Sequence, residues 1–353
     1  TNGNGEFTGS CGSPAGKIRL NLTTGAMMVV NTSANDQIPD TELSINQAVR
    51  VARGTTDFTS LTAEEADLVL AGSKAGVLGS DLIQFLPGGS YTVSGLVPTM
   101  TANNDHISGI GPKAPGSFVA IVAPAFTCFT VTGNGNQISG VLISNCGIGV
   151  DVSGSSNLIG GALDPILGND IRGDPSSAFG VLISGASNGV RGNRIGVNGV
   201  SDFGYDWGVR IAGAGADSNV IGGLTPADRN IISGNDLYGV EISGGADFNT
   251  VSGNYIGLSE DGTAAVGNAF GVQVNSTGGA ATNNVVRGNV ISGNQVGVSI
   301  FGEDADTNAL YGNTMGTDVT GFTPLPNTVA VDIASGADYN SIGGPSGFDV
   351  NTI

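Results

Sequence analysis

Positive charge is scarce in this sequence. Its 353 residues include three lysines, Lys17, Lys74 and Lys113, and Lys plus Arg total 12 against 30 Asp plus Glu, a formal net charge of −18. Such a chain repels a phosphate backbone and has few cations with which to displace counterions, so nucleic acid is excluded as a partner. Apolar runs are short as well: none approaches the roughly 20 residues that cross a bilayer as a helix, and no membrane span is expected. The three cysteines, Cys11, Cys128 and Cys146, are too few for a disulfide scaffold and lack metal-ligand spacing. They read as buried thiols with at most one bridge. No initiator Met or signal peptide precedes Thr1, so the numbering is expected to begin within a processed product. What is abundant is glycine, 60 residues, beside a hydrophobic fraction of 39% rich in Val and Ile. Disordered tails lack such a fraction, so the glycines punctuate structure rather than fill linkers.

From about residue 130 a module Gly-Val-x-Ile/Val recurs, as Gly180-Val181-Leu182-Ile183, Gly208-Val209-Arg210-Ile211, Gly239-Val240-Glu241-Ile242 and Gly271-Val272-Gln273-Val274. An Asn-led second module follows each copy, for example Asn219-Val220-Ile221, and a third module follows that, for example Asn230-Ile231-Ile232. Between first valines the units span 31, 28, 31, 32, 26 and 33 residues. Two or three alternating positions bounded by Gly and Asn fit short strands, and no helical apolar period runs through the units. A strand this short is stable only when stacked on its copy in the next coil, about 4.8 Å away. The expected fold is therefore all-β, a right-handed parallel β-helix: a solenoid of three-strand coils. Asn157, Asn188, Asn219, Asn249, Asn284, Asn308 and Asn340 recur at equivalent corners and read as an internal asparagine ladder. Alternation of two coil types gives a longer period of 59 to 63 residues, with the longer loops at 193–207, 254–270 and 313–328.

Upstream the pattern changes, and the expected division is an N-terminal segment and capping region over 1–82 and the β-helix over 83–353. Residues 61–78 read as a short helix with Thr62 as N-cap, and 43–53 as another, together a helical N-terminal cap over an exposed solenoid end. In the segment Thr1 to Val30, the aliphatic patches Ile18 to Leu22 and Met27 to Val30 read as strands that a neighbouring molecule's open end could accept. At the other end, Asn340-Ser341-Ile342 opens a coil that Asn351-Thr352-Ile353 does not obviously finish, so either further coils or domains of the same chain, or self-association into a filament, are expected to cover it.

The stretch Asn254-Tyr255-Ile256-Gly257 through Asp261-Gly262-Thr263-Ala264-Ala265-Val266-Gly267-Asn268, followed by Gly271-Val272, resembles the repeats of bacterial secreted right-handed β-helix proteins of the pectate-lyase-like superfold. The likeness covers roughly 130–345. Asp40-Thr41-Glu42-Leu43-Ser44-Ile45-Asn46-Gln47-Ala48-Val49 is similar to the CSLREA-type segment that precedes such repeats, with Leu43, Asn46 and Gln47 replacing its Cys, Arg and Glu. The resemblance implies an extracellular or cell-surface bacterial location and implies no chemistry, because the superfold hosts enzymes, adhesins and structural shafts alike.

Candidate chemistry is sparse. His106 has no evident nucleophile nearby and reads as a surface residue. On the outward side of the first module lie Asp151, Leu182, Arg210, Glu241, Gln273, Ser299 and Asp332. A polysaccharide lyase could use Arg210 as base or carboxylate clamp, and a glycosidase could pair Glu241 with Asp206 or Asp236 as acid and base; the plainer reading of Arg210 and Glu241 is a solvated cross-strand ion pair. Tyr205, Trp207 and Tyr238 could offer aromatic faces to a carbohydrate. Asp217, Asp247, Asp306 and Asp338 recur just before ladder asparagines and could hold calcium, the one cofactor the sequence suggests; the plainer reading is solvated turn carboxylates. The function expected first is an extracellular structural or adhesive module with a polysaccharide or cell-surface glycan as partner. The alternative is a lyase or hydrolase acting on acidic polysaccharide.

Overall fold

Each coil turns three corners, and the computed structural model shows what holds them. It describes residues 26–30, 69–71, 82–85, 91–94, 99–109, 119–123, 125–161, 168–174, 177–196, 204–344 and 350–353. Among them the strands form three sheets of 12, 8 and 9 strands. Strands follow one another from sheet to sheet around the coil, and each except Val69–Ala71 pairs in parallel with its counterpart one coil away. No helix occurs among the described residues. The chain is a parallel β-helix, right-handed as parallel crossovers are.

The 8-stranded sheet is built from the first module. Its strands include Ile148–Val152, Phe179–Ile183, Trp207–Ala212, Tyr238–Ser243, Phe270–Asn275 and Val296–Phe301. Val209, Val240 and Val272 stack in register, as do Ile211, Ile242 and Val274, and all six are buried. The other two sheets contribute matching columns, such as Ile221-Val251-Val286 and Ile232-Ile256-Ile291. Full burial of one such side chain is worth about 1.5–3 kcal/mol, so these columns are the main source of stability. The module glycine has a steric cause. A Cβ on Gly208 would lie 2.7 Å from the carbonyl oxygen of Gly239, and one on Gly239 would lie 2.6 Å from that of Gly271. Only a hydrogen lets the coils approach this closely.

Asparagines line all three corners. In the expected ladder, the main-chain N–H of each Asn donates to Oδ1 of the next, at 2.8 Å from Asn219 to Asn249 and 2.8 Å from Asn249 to Asn284. A second ladder runs from Asn169 through Asn193, Asn230, Asn254, Asn289 and Asn313 to Asn351. A third runs from Asn235 through Asn268 and Asn294 to Asn327. Corners bury polar backbone that the sheet ladders cannot reach. An Asn side chain carries both a donor and an acceptor, so one residue type satisfies it from coil to coil.

Two expectations change near the N-terminus. Within the segment expected to be a helix over 61–78, Val69–Ala71 is a strand paired antiparallel with Ala26–Val30; the remainder of that segment and residues 43–53 lie outside the described residues. Pairing with a remote strand outweighs local helix preference there. Ala26–Val30 also pairs in parallel with Leu82–Phe85, so it extends the 12-stranded sheet of its own molecule and is not free to join a neighbour's. Cys128 and Cys146 form a disulfide between adjacent coils. Cys11 and the patch Ile18 to Leu22 lie outside the described residues. In the last coil Val329, Ile333 and Ile342 are exposed.

Candidate functional site

The outer face of the 8-stranded sheet carries the expected column without a slip: Asp151, Leu182, Arg210, Glu241, Gln273, Ser299 and Asp332 stand in consecutive register. Arg210 Nε lies 2.8 Å from Glu241 Oε2, a contact ion pair whose N–H is not aligned for a hydrogen bond. Glu241 is only 6% exposed, so this is not the solvated pair the sequence suggested. Its other oxygen, Oε1, accepts from Asn275 Nδ2 at 2.9 Å, and the same amide donates to Gln273 Oε1 at 3.0 Å. Both oxygens of the carboxylate are therefore committed. Asn275 Oδ1 accepts from the main-chain N–H of Thr277 at 3.0 Å, which fixes the amide's orientation.

Beside this polar column runs an aromatic one. Phe179, Trp207, Tyr238 and Phe270 occupy consecutive coils, with ring centroids 5.0, 5.6 and 5.2 Å apart. The Trp207–Tyr238 and Tyr238–Phe270 pairs are stacked within 21° of parallel. The ring faces are thus turned toward one another along the axis, which corrects the expectation that Trp207 and Tyr238 offer free faces to a sugar. The Arg210 guanidinium sits 5.3 Å from the Trp207 ring centroid and 5.6 Å from that of Phe179, held from one side by π-faces and from the other by Glu241. Burial, with the Glu241 charge adding to it, holds the Tyr238 phenol above its ordinary pKa, so the hydroxyl stays protonated.

Arg210, Tyr238, Glu241, Phe270, Gln273 and Asn275, with Thr277, Ser299, Phe301 and Asp332, line a groove of about 470 Å³. Tyr238 and Phe270 border one side of it and the exposed Phe301 the other; amides, hydroxyls and carboxylates lie between. Asp332 is three coils from Glu241, about 14 Å at the ~4.8 Å spacing of neighbouring strands. Asp151 lies as far away on the opposite side, its carboxyl raised above the usual range by burial.

Other expected site residues lie elsewhere. Tyr205 is fully buried and its hydroxyl donates to the Arg172 carbonyl at 3.0 Å, so it is a core residue and not a ligand. Asp206 and Asp236 precede the aromatic column at the entry turn, whereas Glu241 follows it, and strand geometry does not bring them together as an acid–base pair. The four aspartates offered to calcium serve the backbone or stand in solvent. Asp217 Oδ1 accepts from the Asp247 N–H at 2.9 Å, Asp247 Oδ1 from the Thr282 N–H, and Asp306 Oδ1 from the Asp338 N–H at 2.7 Å. No cluster of three or more metal-ligating side chains occurs among the described residues.

His106 is not a simple surface residue. It is partly buried, its Nε2 is 2.8 Å from Ser139 Oγ in the next coil, and burial lowers its pKa to about 4. Ser139 is fully buried, so the pair has no accessible nucleophile.

No protein-family description matches the sequence, and no curated protein does either. Among solved structures the chain is similar to the Dettilon tailspike protein gp208 (15% identity, 75% of this chain and 54% of that one, TM-score 0.42). It is also similar to the A-module of the Azotobacter vinelandii mannuronan C-5 epimerase AlgE4 (12% identity, 78% and 87%, TM-score 0.42) and to ORF18 of Geobacillus virus E2 (15% identity, 77% and 56%, TM-score 0.40). The chain spans about half the length of the tailspike it matches. These likenesses concern the fold alone.

Proposed function

We propose that this chain is a stiff extracellular structural or adhesive module whose groove on the 8-stranded sheet docks a hydroxyl-rich ligand such as a surface glycan. One observation carries the reading: Glu241 is locked between Arg210 and Asn275, and the other acids of its column stand about 14 Å away on either side. Glycoside hydrolysis needs two carboxyl groups roughly 5–9.5 Å apart. Lyase chemistry on a uronate needs a cation free to neutralise the substrate carboxylate, and Arg210 is neutralised by Glu241. Amides, hydroxyls and ring edges can still hold a sugar by hydrogen bonds and packing, which is binding without turnover.

Titration calorimetry of the intact chain against neutral and amino-sugar oligosaccharides tests the reading. Binding should weaken at least tenfold in Gln273→Ala, whose side chain lines the groove, with no change in melting temperature beyond a few degrees. Unchanged affinity in that variant, or no binding by any of these sugars, would remove the groove as the ligand site.

A further inference from the structure

Wherever the chain enters the first asparagine ladder, the residue before the Asn adopts a left-handed backbone conformation. Ser156, Ser187, Ser218, Asn283 and Thr307, or Gly135, fill this position in six coils, with φ between 57° and 69°. Small polar residues and glycine tolerate that region; a bulky aromatic in it is an outlier. Two coils break the rule. Phe248 has φ 58° and Tyr339 has φ 56°. Phe248 is 60% exposed and Tyr339 86% exposed, so neither ring gains burial in return for the backbone strain. Strain kept without a folding benefit points to a surface role.

The corner fixes where these rings project. The N–H of Ser218 donates to the carbonyl of Asp247 at 3.1 Å, that of Phe248 to Thr282 at 3.1 Å, and that of Thr307 to Asp338 at 3.3 Å. Asn249 and Asn340 follow the two rings and are bound into the ladder. Phe248, Asn283, Thr307 and Tyr339 therefore stand in four consecutive coils along one edge: ring, amide, hydroxyl, ring. The rings are three coils apart, about 14 Å at the spacing of neighbouring strands.

We infer that this edge is a second docking site, independent of the groove, and that its occupant is an extended, uncharged glycan lying along the helix axis. The pattern of the edge argues for a glycan over a protein. A protein partner needs a contiguous patch of roughly 800 Å², whereas here two isolated rings are separated by polar groups. A polymer of pyranose rings presents that alternation, with C–H faces to stack on Phe248 and Tyr339 and hydroxyls that donate to Asn283 Oδ1 and Thr307 Oγ1, whose own amide and hydroxyl donate within the corner to Thr282 and Asp306. Charge selects within the class. Asp247 and Asp338 adjoin the two rings, and the chain carries −18 overall, which disfavours uronate polymers. Two rings held at a fixed separation also reward a long chain over a short one.

The test is affinity electrophoresis of the full chain in gels containing hydroxyethylcellulose or alginate, beside the Phe248→Asn/Tyr339→Asn double variant and Phe322→Asn, which removes an exposed ring outside both the edge and the groove. The expected result is retardation by hydroxyethylcellulose and not by alginate, weakened at least tenfold in the double variant and kept in Phe322→Asn. The double variant should melt at the same temperature as the parent or higher, since Asn suits the left-handed position. The inference is overturned if hydroxyethylcellulose does not retard the parent, if the double variant is retarded equally, or if it melts lower, which would assign the rings to folding. Equal loss in Phe322→Asn would assign the retardation to exposed rings in general and overturn the inference while sparing the groove proposal.

Discussion

Asn219 and Asn249 share one oxygen: Oδ1 of Asn249 accepts both the main-chain N–H of Asn219, at 2.8 Å, and its side-chain amide, at 3.0 Å. Both residues are fully buried, so neither donor can turn to water instead. Each ladder step therefore ties two coils through a polar contact inside the wall.

Asn249→Ala leaves those two donors of Asn219 without an acceptor and should cost about 3 kcal/mol, from ~1–3 kcal/mol for each buried donor left unpaired. Denaturant unfolding followed by circular dichroism measures it. Hydrogen exchange should show the faster amides confined to the coils around residues 219–284.

Arg210→Ala should destabilise more than Glu241→Gln. Removing the cation leaves a nearly buried carboxylate opposed by nothing but Asn275, a loss of about 2 kcal/mol after discounting for an arginine side chain that is 32% exposed. Gln in place of Glu241 keeps an acceptor for Asn275 and should cost below about 1 kcal/mol. Thermal melts of the two variants, compared at one pH, decide the order.

How much of this was legible in the sequence depends on the repeat. Val209, Val240 and Val272 could be placed in one column because the module recurs with fixed internal order, and the outward column through Arg210 and Glu241 followed from it. Corners were harder. Tyr205 and Trp207 are two residues apart yet point to opposite sides, because the chain bends at Asp206, before the strand begins at Trp207, and the period of two does not extend across that corner. The second and third asparagine ladders were visible as Asn230 and Asn235 flanking the third module, but a turn asparagine and a ladder asparagine have the same local sequence. The Ser139 partner of His106 lies 33 residues away in a coil without the regular module, so no spacing rule announces it.

His106 makes stability depend on acid. Its folded pKa of about 4 lies below the unfolded 6.5, so the unfolded chain binds the proton first. The neutral ring's contribution is complete above pH 6.5, falls as pH drops toward 4 and changes no further below that. At ~1.4 kcal/mol per unit the loss is at most about 3 kcal/mol. His106→Gln should remove this part of the pH dependence; parallel melting curves for parent and variant between pH 4 and 7 would reveal it.

Reduction of the Cys128–Cys146 bridge, which closes a separation of 18 residues, should lower stability by about 3 kcal/mol. Denaturant midpoints with and without reductant measure it, and the Cys128→Ser/Cys146→Ser variant should show no further response to reductant.

A groove that binds a glycan without cleaving it leaves the polymer intact. Prolonged incubation of the purified chain with alginate, polygalacturonate and neutral β-glucans, followed by mass spectrometry of the soluble products, tests it most directly. The polymers should keep their length, with no unsaturated and no newly reducing oligosaccharides. Products that accumulate with the parent chain and vanish in Glu241→Gln would contradict it and make Glu241 a catalytic residue.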